Sequence, residues 1–492
     1  MHPSPNWNFA GRLAGGLGEN SVLIEAASAQ TFRVAEIKEH IAGFAAGFLS
    51  NGLRPGDRLL ISCSLNPSTA LAYLGAMYAG CVPVMVDERT HAVSGEALVK
   101  KANAKAAWSP KPVPWDWAQK NAFPQMQGNF PPRPADSLEA FPRGENDLAS
   151  LMPTSGSTGT PRLVMVSHGN LVANTEAIIQ SQHLGSGERA MLIMPLSYCF
   201  GASILHTHLY AGGGVVFDSR FMFPDKVLQA INTYECTTFA GVPTVYNILL
   251  RRSNIKSIPM PSLRRFLQAG GALATESVQE MRGVARNSDF YVMYGQTEAT
   301  SRISCLPANR LHDKLGSVGI PLENLTIRIV DAQGHKVPRG HTGEVQVIGP
   351  SVCGGYFGDA EATGRKLEQG WLKTGDLASQ DEDGYLWIKG RTSDFIKIRG
   401  YRVSLADVEA KVGAVAGVCE CAAAGVEHPE AGEALALFVV KDDAAEIAAP
   451  SLVESVRRAL PTQWICASIR VVPDLPRTAN GKIARSELHT FA

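Results

Sequence analysis

Residues 57–87 read DRLLISCSLNPSTALAYLGAMYAGCVPVMVD, and the order of patterns in this stretch decides the class of fold. A short apolar run, RLLISCS, precedes a longer helical run that ends at a glycine, and a second short apolar run, CVPVMVD, follows. Short apolar runs flanking a helix-length segment read as a βαβ unit with parallel strands. Working outward, the same alternation resumes with AMLIMPL, the helix SILHTHLYAGG, VVFD, the helix DKVLQAINTYE and TTFAGVP. It continues through a helix around Val245, the strand RRFLQAG, the helix ESVQEMRGVA and the strand FYVMYG, which predicts a second parallel sheet. Between the two, residues 101–147 are weakly patterned and rich in proline, and they read as a surface connection with short strand or helix pieces.

After Gly319 the pattern changes to alternating strands and tight turns (LTIRIVD, GEVQVIG, DEDGYLWIKG), as expected of an antiparallel, barrel-like part. At Ser404 a capping-box pattern, Ser-Leu-Ala-Asp, opens a helix, and strand and helix candidates follow to the end. The expected class is α/β: a large N-terminal domain over residues 1–392, with two parallel α/β sheet subdomains and a β-barrel-like part, and a small α+β domain over 393–492.

At 492 residues the chain exceeds what one hydrophobic core usually holds. It carries 46 basic against 46 acidic residues, so no general pull towards nucleic acid or an anionic membrane is expected. No segment approaches the roughly 20 unbroken apolar residues of a membrane span. The N-terminus lacks a basic stretch followed by an apolar core, and the nine cysteines are scattered without a CxxC pair. These features point to a cytoplasmic protein with buried free thiols.

The most informative segment for chemistry is Thr154-Ser155-Gly156-Ser157-Thr158-Gly159, followed by Thr160, Pro161 and Arg162. Glycines and small hydroxylated residues let backbone N–H groups and hydroxyls converge on an oxyanion. It is not a Walker A loop, since no GxxxxGK[ST] exists, and there is no GxGxxG. HExxH and GxSxG are also missing, and no nucleophilic triad is indicated. Five segments follow the loop in order: Gly270-Gly271-Ala272, Tyr294-Gly295-Gln296-Thr297-Glu298, the Lys373-to-Asp376 turn, the run from Gly390 to Lys397, and the run from Pro476 to Ile483.

This ordered set resembles the adenylate-forming enzyme superfamily, which includes acyl-CoA synthetases, aryl-CoA ligases and stand-alone adenylation domains. The resemblance runs from the βαβ unit near Asp57 to Lys482. It implies ATP-dependent conversion of a carboxylic acid to an acyl-adenylate, with Mg²⁺, and transfer to a thiol. The 154–159 loop would hold the β- and γ-phosphates, with Thr158 among the catalytic residues. Arg162 would be the nearby cation where relatives more often have lysine; arginine keeps the charge and adds a planar fork. Tyr294 would stack on adenine, Thr297 would meet the α-phosphate, and Glu298 would bind Mg²⁺. Asp376 would hold the ribose hydroxyls and Arg391 the ribose or phosphate. Lys482, on the small domain, would bridge the attacking carboxylate and the α-phosphate.

Residues 195–201, PLSYCFG, correspond to the substrate-lining motif, so Tyr198, Cys199 and Phe200 are candidates for the acyl pocket, with Gly271 in its wall. No aspartate lies between Leu192 and Gly214 to hold an α-ammonium, which disfavours α-amino acids and leaves an aryl or medium aliphatic acid. Lys397, Arg399, Gly400 and Tyr401 match the segment that meets the pantetheine thiol. Coenzyme A is the first choice of acceptor, and the phosphopantetheine arm of a carrier protein is the alternative. Lys482 and Gly400 serve different half-reactions from one small domain, so that domain is expected to be mobile about a hinge at Ser393, or at the neighbouring Asp394.

Overall fold

The computed structural model describes residues 6–488, apart from 113–115, 121, 155–160, 285, 392–394, 400, 430, 443–444, 462–463, 478–482 and 486. The strand Arg58–Cys63, the helix Pro67–Tyr78 and the strand Val82–Asp87 form the expected unit, with parallel strands and Leu60 opposite Val84. The Asn66 side chain accepts from the Thr69 amide at 2.9 Å, and Pro67 occupies the first helical position, where its missing N–H costs nothing. The unit sits inside a six-stranded sheet, ordered Gln125–Gln127, Ala104–Ser109, Arg58–Cys63, Val82–Asp87, Leu148–Thr154 and Arg162–Ser167. All neighbours are parallel except the last two strands, an antiparallel hairpin that brackets residues 155–161.

Residues 101–147 contain short strand and helix pieces, as expected, and residues 131–147 are largely exposed, but Ala104–Ser109 does not belong to a surface connection. Ala104–Ser109 is an interior strand, flanked on both sides, and its Trp108 side chain is fully buried and donates to the Gly128 carbonyl at 3.0 Å. An alanine-rich run, AKAAWS, carries little strand signal by itself; neighbouring strands and the burial of one large ring make it a strand.

The second sheet has nine strands: Ile320–Pro321, Ser304–Leu306, Asp289–Tyr294, Arg265–Gln268, Thr238–Gly241, Arg189–Leu192, Gly214–Phe217, Val22–Glu25 and Gln30–Arg33. Its six central strands are parallel, as expected, and its edges are antiparallel. One edge is the N-terminal hairpin Val22–Arg33, which the alternation of strands and helices did not reveal. The helix Cys199–Tyr210 is buried on all sides, and its two histidines serve packing. His208 Nδ1 lies 3.0 Å from the Ile204 carbonyl and His206 Nε2 lies 3.2 Å from the Tyr73 hydroxyl. Burial pulls their pKa values down to about 4 and about 3, so both are neutral at physiological pH.

The chain divides into two compact units, Met1–Ile327 with Gln346–Lys373, and Arg328–Val345 with Thr374–Ala492. It passes from one to the other within the strands Thr326–Val330, Gly343–Ile348 and Trp371–Gln380. In the second unit the long antiparallel pair Val418–His428 and Gly432–Lys441 carries the helices Leu405–Gly413 and Ala449–Ala459 against a core that includes Val408, Val412, Leu437 and Leu452. The Ser404 hydroxyl accepts from the Asp407 amide at 3.2 Å, where the capping pattern places the helix start. No helix among the described residues is long and apolar enough to cross a membrane.

Candidate active site

In the first unit the site is organised around the hairpin. Thr154 ends one strand opposite Arg162, which starts the next, and the Thr154 hydroxyl reaches the Arg162 carbonyl at 3.5 Å. Ser155, Gly156, Ser157, Thr158 and Gly159 lie outside the described residues. The segment 353–357 runs along the second strand: the Met165 amide donates to Gly355 O at 2.9 Å, Gly354 N to Met165 O at 3.0 Å and Phe357 N to Leu163 O at 2.8 Å. Gly355 has φ of +102°, and a Cβ there would lie 2.3 Å from Thr363 Cγ2, so only glycine lets this segment pass so close.

That register places Tyr356 between two candidates. Its hydroxyl donates to Glu298 Oε1 at 2.6 Å, and the Arg162 guanidinium lies 5.4 Å from its ring centroid. Burial, and then the Glu298 charge, raise the Tyr356 phenol above its ordinary range, so it stays a proton donor. Arg162 is half-exposed, with Nε 3.9 Å from Asp359. Glu298 is further held through its carbonyl, which accepts from the Cys353 amide at 2.9 Å.

Glu298 lies in a short 3₁₀ turn, Thr297–Ala299, directly beyond the strand that ends at the half-buried Tyr294. Gly295 is required where the turn folds back, because a Cβ would sit 1.8 Å from the Ser301 carbonyl oxygen. The Thr297 hydroxyl reaches the Cys199 sulfur at 3.4 Å, so the acyl-pocket and nucleotide candidates meet here. Gln296 is buried, and its Nε2 has no hydrogen-bond partner among the described residues.

Tyr198 caps the helix Cys199–Tyr210, and its hydroxyl lies 2.5 Å from where a Cβ on Gly270 would be. Gly270, with φ of +89°, therefore makes room for the tyrosine as well as the turn. Gln268 Nε2 donates to the Gly271 carbonyl at 2.8 Å, while Ala272 is exposed. Burial raises the Tyr198 phenol above its ordinary range. The Phe200 ring stands edge-on to Tyr198, with centroids 6.3 Å apart, and the Arg302 guanidinium lies 4.9 Å from the Phe200 centroid.

In the second unit Asp376, 5% exposed, stands opposite Arg391 on antiparallel strands, and Arg391 Nε donates to its Oδ1 at 2.8 Å. Two residues read separately from the sequence thus form one pair. Lys397 and Tyr401 lie on the antiparallel strands Phe395–Ile398 and Tyr401–Ser404, with their side chains outside the described residues. Arg399 is exposed between them at φ of +50°, its amide donating to the Ala431 carbonyl at 2.9 Å. Ser393, Asp394, Gly400 and Lys482 lie outside the described residues. Arg477 and Ile483, which flank residues 478–482, pair with each other across an antiparallel bridge, and Arg477 Nη2 is held by Glu420 at 2.5 Å.

Sequence reasoning missed Tyr356 and Arg302. The signal for Tyr356 was two glycines directly before an aromatic residue; that for Arg302 was a single cation within a run of small and apolar residues, ATSRISCL.

Comparison with known proteins identifies the family. The family model "AMP-binding enzyme" matches residues 16–357 and "AMP-binding enzyme C-terminal domain" matches residues 407–482. A feruloyl-CoA synthase from Amycolatopsis sp is 32% identical over 464 residues, covering 92% of both chains. Among solved structures, ATP-bound MatB from Rhodopseudomonas palustris aligns with a TM-score of 0.88 at 26% identity, covering 99% of each chain. The o-succinylbenzoate CoA synthetase MenE from Bacillus subtilis, in complex with the acyl-adenylate intermediate OSB-AMP, aligns with a TM-score of 0.85 at 26% identity over 99% and 98%. The chain belongs to the AMP-binding enzyme family. It is an AMP-forming ligase with the mixed α/β fold, large N-terminal part and small C-terminal part of adenylate-forming enzymes.

Proposed function

We propose that this ligase activates a free aryl or medium aliphatic acid and passes the acyl group to the thiol of coenzyme A. The observation that carries the reading is the meeting of Arg162, Tyr356 and Glu298 beside the strand that leaves the Ser/Thr/Gly loop. It puts a cation and a carboxylate on either side of one tyrosine at a loop suited to phosphate oxygens. The substrate carboxylate attacks the α-phosphorus of ATP, the bond to the bridging oxygen breaks, and pyrophosphate leaves with the electron pair. In the second step the thiol sulfur attacks the acyl carbon, loses its proton and expels AMP, giving the thioester.

Thr154 to Gly159, Arg162, Thr297 and Lys482 would position the phosphates, Tyr294 the base, and the Asp376–Arg391 pair the ribose. Magnesium commonly binds through one or two carboxylates plus phosphate oxygens and water. Glu298 fits that role: Tyr356 engages one of its oxygens, and a carboxylate has acceptor capacity to spare. No group of three or more His, Cys, Asp or Glu residues that could hold a metal lies together among the described residues, which suits an ion carried mainly by the nucleotide. That ion would neutralise phosphate charge; Glu298, oriented by Tyr356, would set its place.

The test is pyrophosphate exchange across a panel of acids, followed by thioester formation with and without coenzyme A. Aryl or aliphatic acids should stimulate exchange and proteinogenic amino acids should not; robust exchange with any of the latter overturns the substrate reading. Thioester formation only with a carrier protein's phosphopantetheine arm would favour the alternative acceptor.

A division at residues 392/393, with a pivot at Ser393, is part of the same proposal. Ser393→Pro fixes φ and restricts Thr392 as well. It should keep much of the exchange rate but lose most thioester formation, both measured on one folded preparation. Equal losses in the two assays would place the hinge elsewhere.

A further inference from the structure

Arg302 is 2% exposed, and no described carboxylate pairs with it. Its guanidinium lies 4.9 Å from the Phe200 centroid, and its one side-chain hydrogen bond among the described residues goes from Nη1 to the Met293 sulfur, a weak acceptor. The other deeply buried arginine among the described residues of this unit is treated differently: Arg265, 8% exposed, has Glu188 at 2.5 Å. A buried charge is normally paired, because its lost hydration is costly to replace. Aromatic contact offsets part of that cost and leaves most of the five guanidinium N–H groups without acceptors.

The position is held in place. Asn174 Nδ2 donates to the Arg302 carbonyl at 2.9 Å, and its Oδ1 accepts from the Arg302 amide at 3.2 Å, in the buried interior of the unit. Arg302 follows Glu298 by four residues and packs on Phe200, so it connects the turn of the nucleotide candidates to the acyl-pocket motif. Burial lowers the Arg302 pKa to about 10, which leaves it charged at neutral pH. Two more polar atoms from these segments, Ser197 Oγ and Gln296 Nε2, are buried with no partner among the described residues.

We infer that Arg302 is a specificity-determining residue whose missing counter-ion is a second carboxylate on the substrate, so that the acid activated is a dicarboxylic acid. The inference rests on the acyl-pocket assignment made above. One carboxylate would react at the α-phosphorus, and the other would sit against the guanidinium and Phe200. A fork of N–H donors suits a carboxylate, with which it makes paired hydrogen bonds. An acid that ends in a methyl group would leave this charge buried and unpaired, so discrimination should be strong.

The experiment measures kcat/KM for pyrophosphate exchange with pairs of acids matched in carbon skeleton, aliphatic (glutarate against valerate, adipate against hexanoate) and aromatic (phthalate against 2-methylbenzoate). The wild-type enzyme should favour the diacid of at least one pair by about a hundredfold or more. Arg302→Met, similar in length and uncharged, should collapse that ratio towards one, and Arg302→Lys should restore part of it. The ligand-free melting temperature of Arg302→Met should not fall, because the variant removes an unpaired charge. A wild-type preference for the monoacid in every pair, or equal losses on both acids in Arg302→Met, overturns the inference while leaving acid activation standing. If no acid supports exchange, the activation reading fails, and calorimetric titration with the same diacids decides the inference separately. Binding that Arg302→Met abolishes supports it, and no binding of any diacid to wild type overturns it.

Discussion

Lys482→Ala is expected to lower acid-dependent ATP–pyrophosphate exchange by about a hundred- to a thousandfold. The proposed role is to sit where two anions meet, the attacking carboxylate and the α-phosphate, and to stabilise charge that builds in the transition state. A neutral side chain cannot do so, and binding of ATP alone should be affected much less, because the missing interaction strengthens only as bond-making proceeds. The same variant should still convert supplied acyl-adenylate to thioester, since that step has no phosphoryl transfer. The fold around the site should survive: Arg477 remains paired with Glu420, and the bridge between Arg477 and Ile483 is made by the main chain. Exchange within a few-fold of wild type would show that this lysine is not the adenylation cation. Loss of the thioester step by the same factor would instead point to a general defect, which a melting curve would reveal.

Glu298→Gln should have the next largest effect, a loss of about a hundredfold in exchange with a raised magnesium requirement. The amide keeps the shape and can still accept from Tyr356, so what is removed is the charge that a divalent ion needs. Tyr356→Phe provides the graded companion. It leaves the carboxylate charged but removes the 2.6 Å hydrogen bond that orients it. A charge-assisted hydrogen bond of this kind suggests a loss of about tenfold, partly recovered at high magnesium. ATP affinity, measured calorimetrically across a magnesium series, separates a positioning role from a structural one. If the phenylalanine variant shifts neither the magnesium dependence nor the affinity, Tyr356 only packs the segment 353–357 against the strand Arg162–Ser167.

Much of this architecture was legible in the chain. The βαβ unit at 57–87 and the strands and helices of the second sheet fall where apolar runs of strand length alternate with helix-length segments, because strands buried on both faces need such runs. The Ser404 cap was equally local, requiring only a hydroxyl three residues before an amide. The strand Ala104–Ser109 was not legible, since alanine has no strand preference and the decision was made by the strands on either side. Nor was the N-terminal hairpin, whose place at the sheet edge depends on pairing with Gly214–Phe217, far along the chain.

The site divides in the same way. Thr154 to Gly159, Tyr294 to Glu298, Asp376, Arg391 and Lys482 stand in short segments whose order gives the resemblance to adenylate-forming enzymes, and through that resemblance the sequence by itself determined the class of chemistry. Only the tertiary structure decided which residues lie together. Asp376 and Arg391 pair because an antiparallel register sets them opposite each other. Tyr356 reaches Glu298 because Gly355 lets the chain pass close to Thr363. Arg302 lies against Phe200 without a carboxylate partner among the described residues, although the two are about a hundred residues apart. Whether a charge is buried, and whether a partner waits for it, depends on what the rest of the chain packs around it, which no local pattern records.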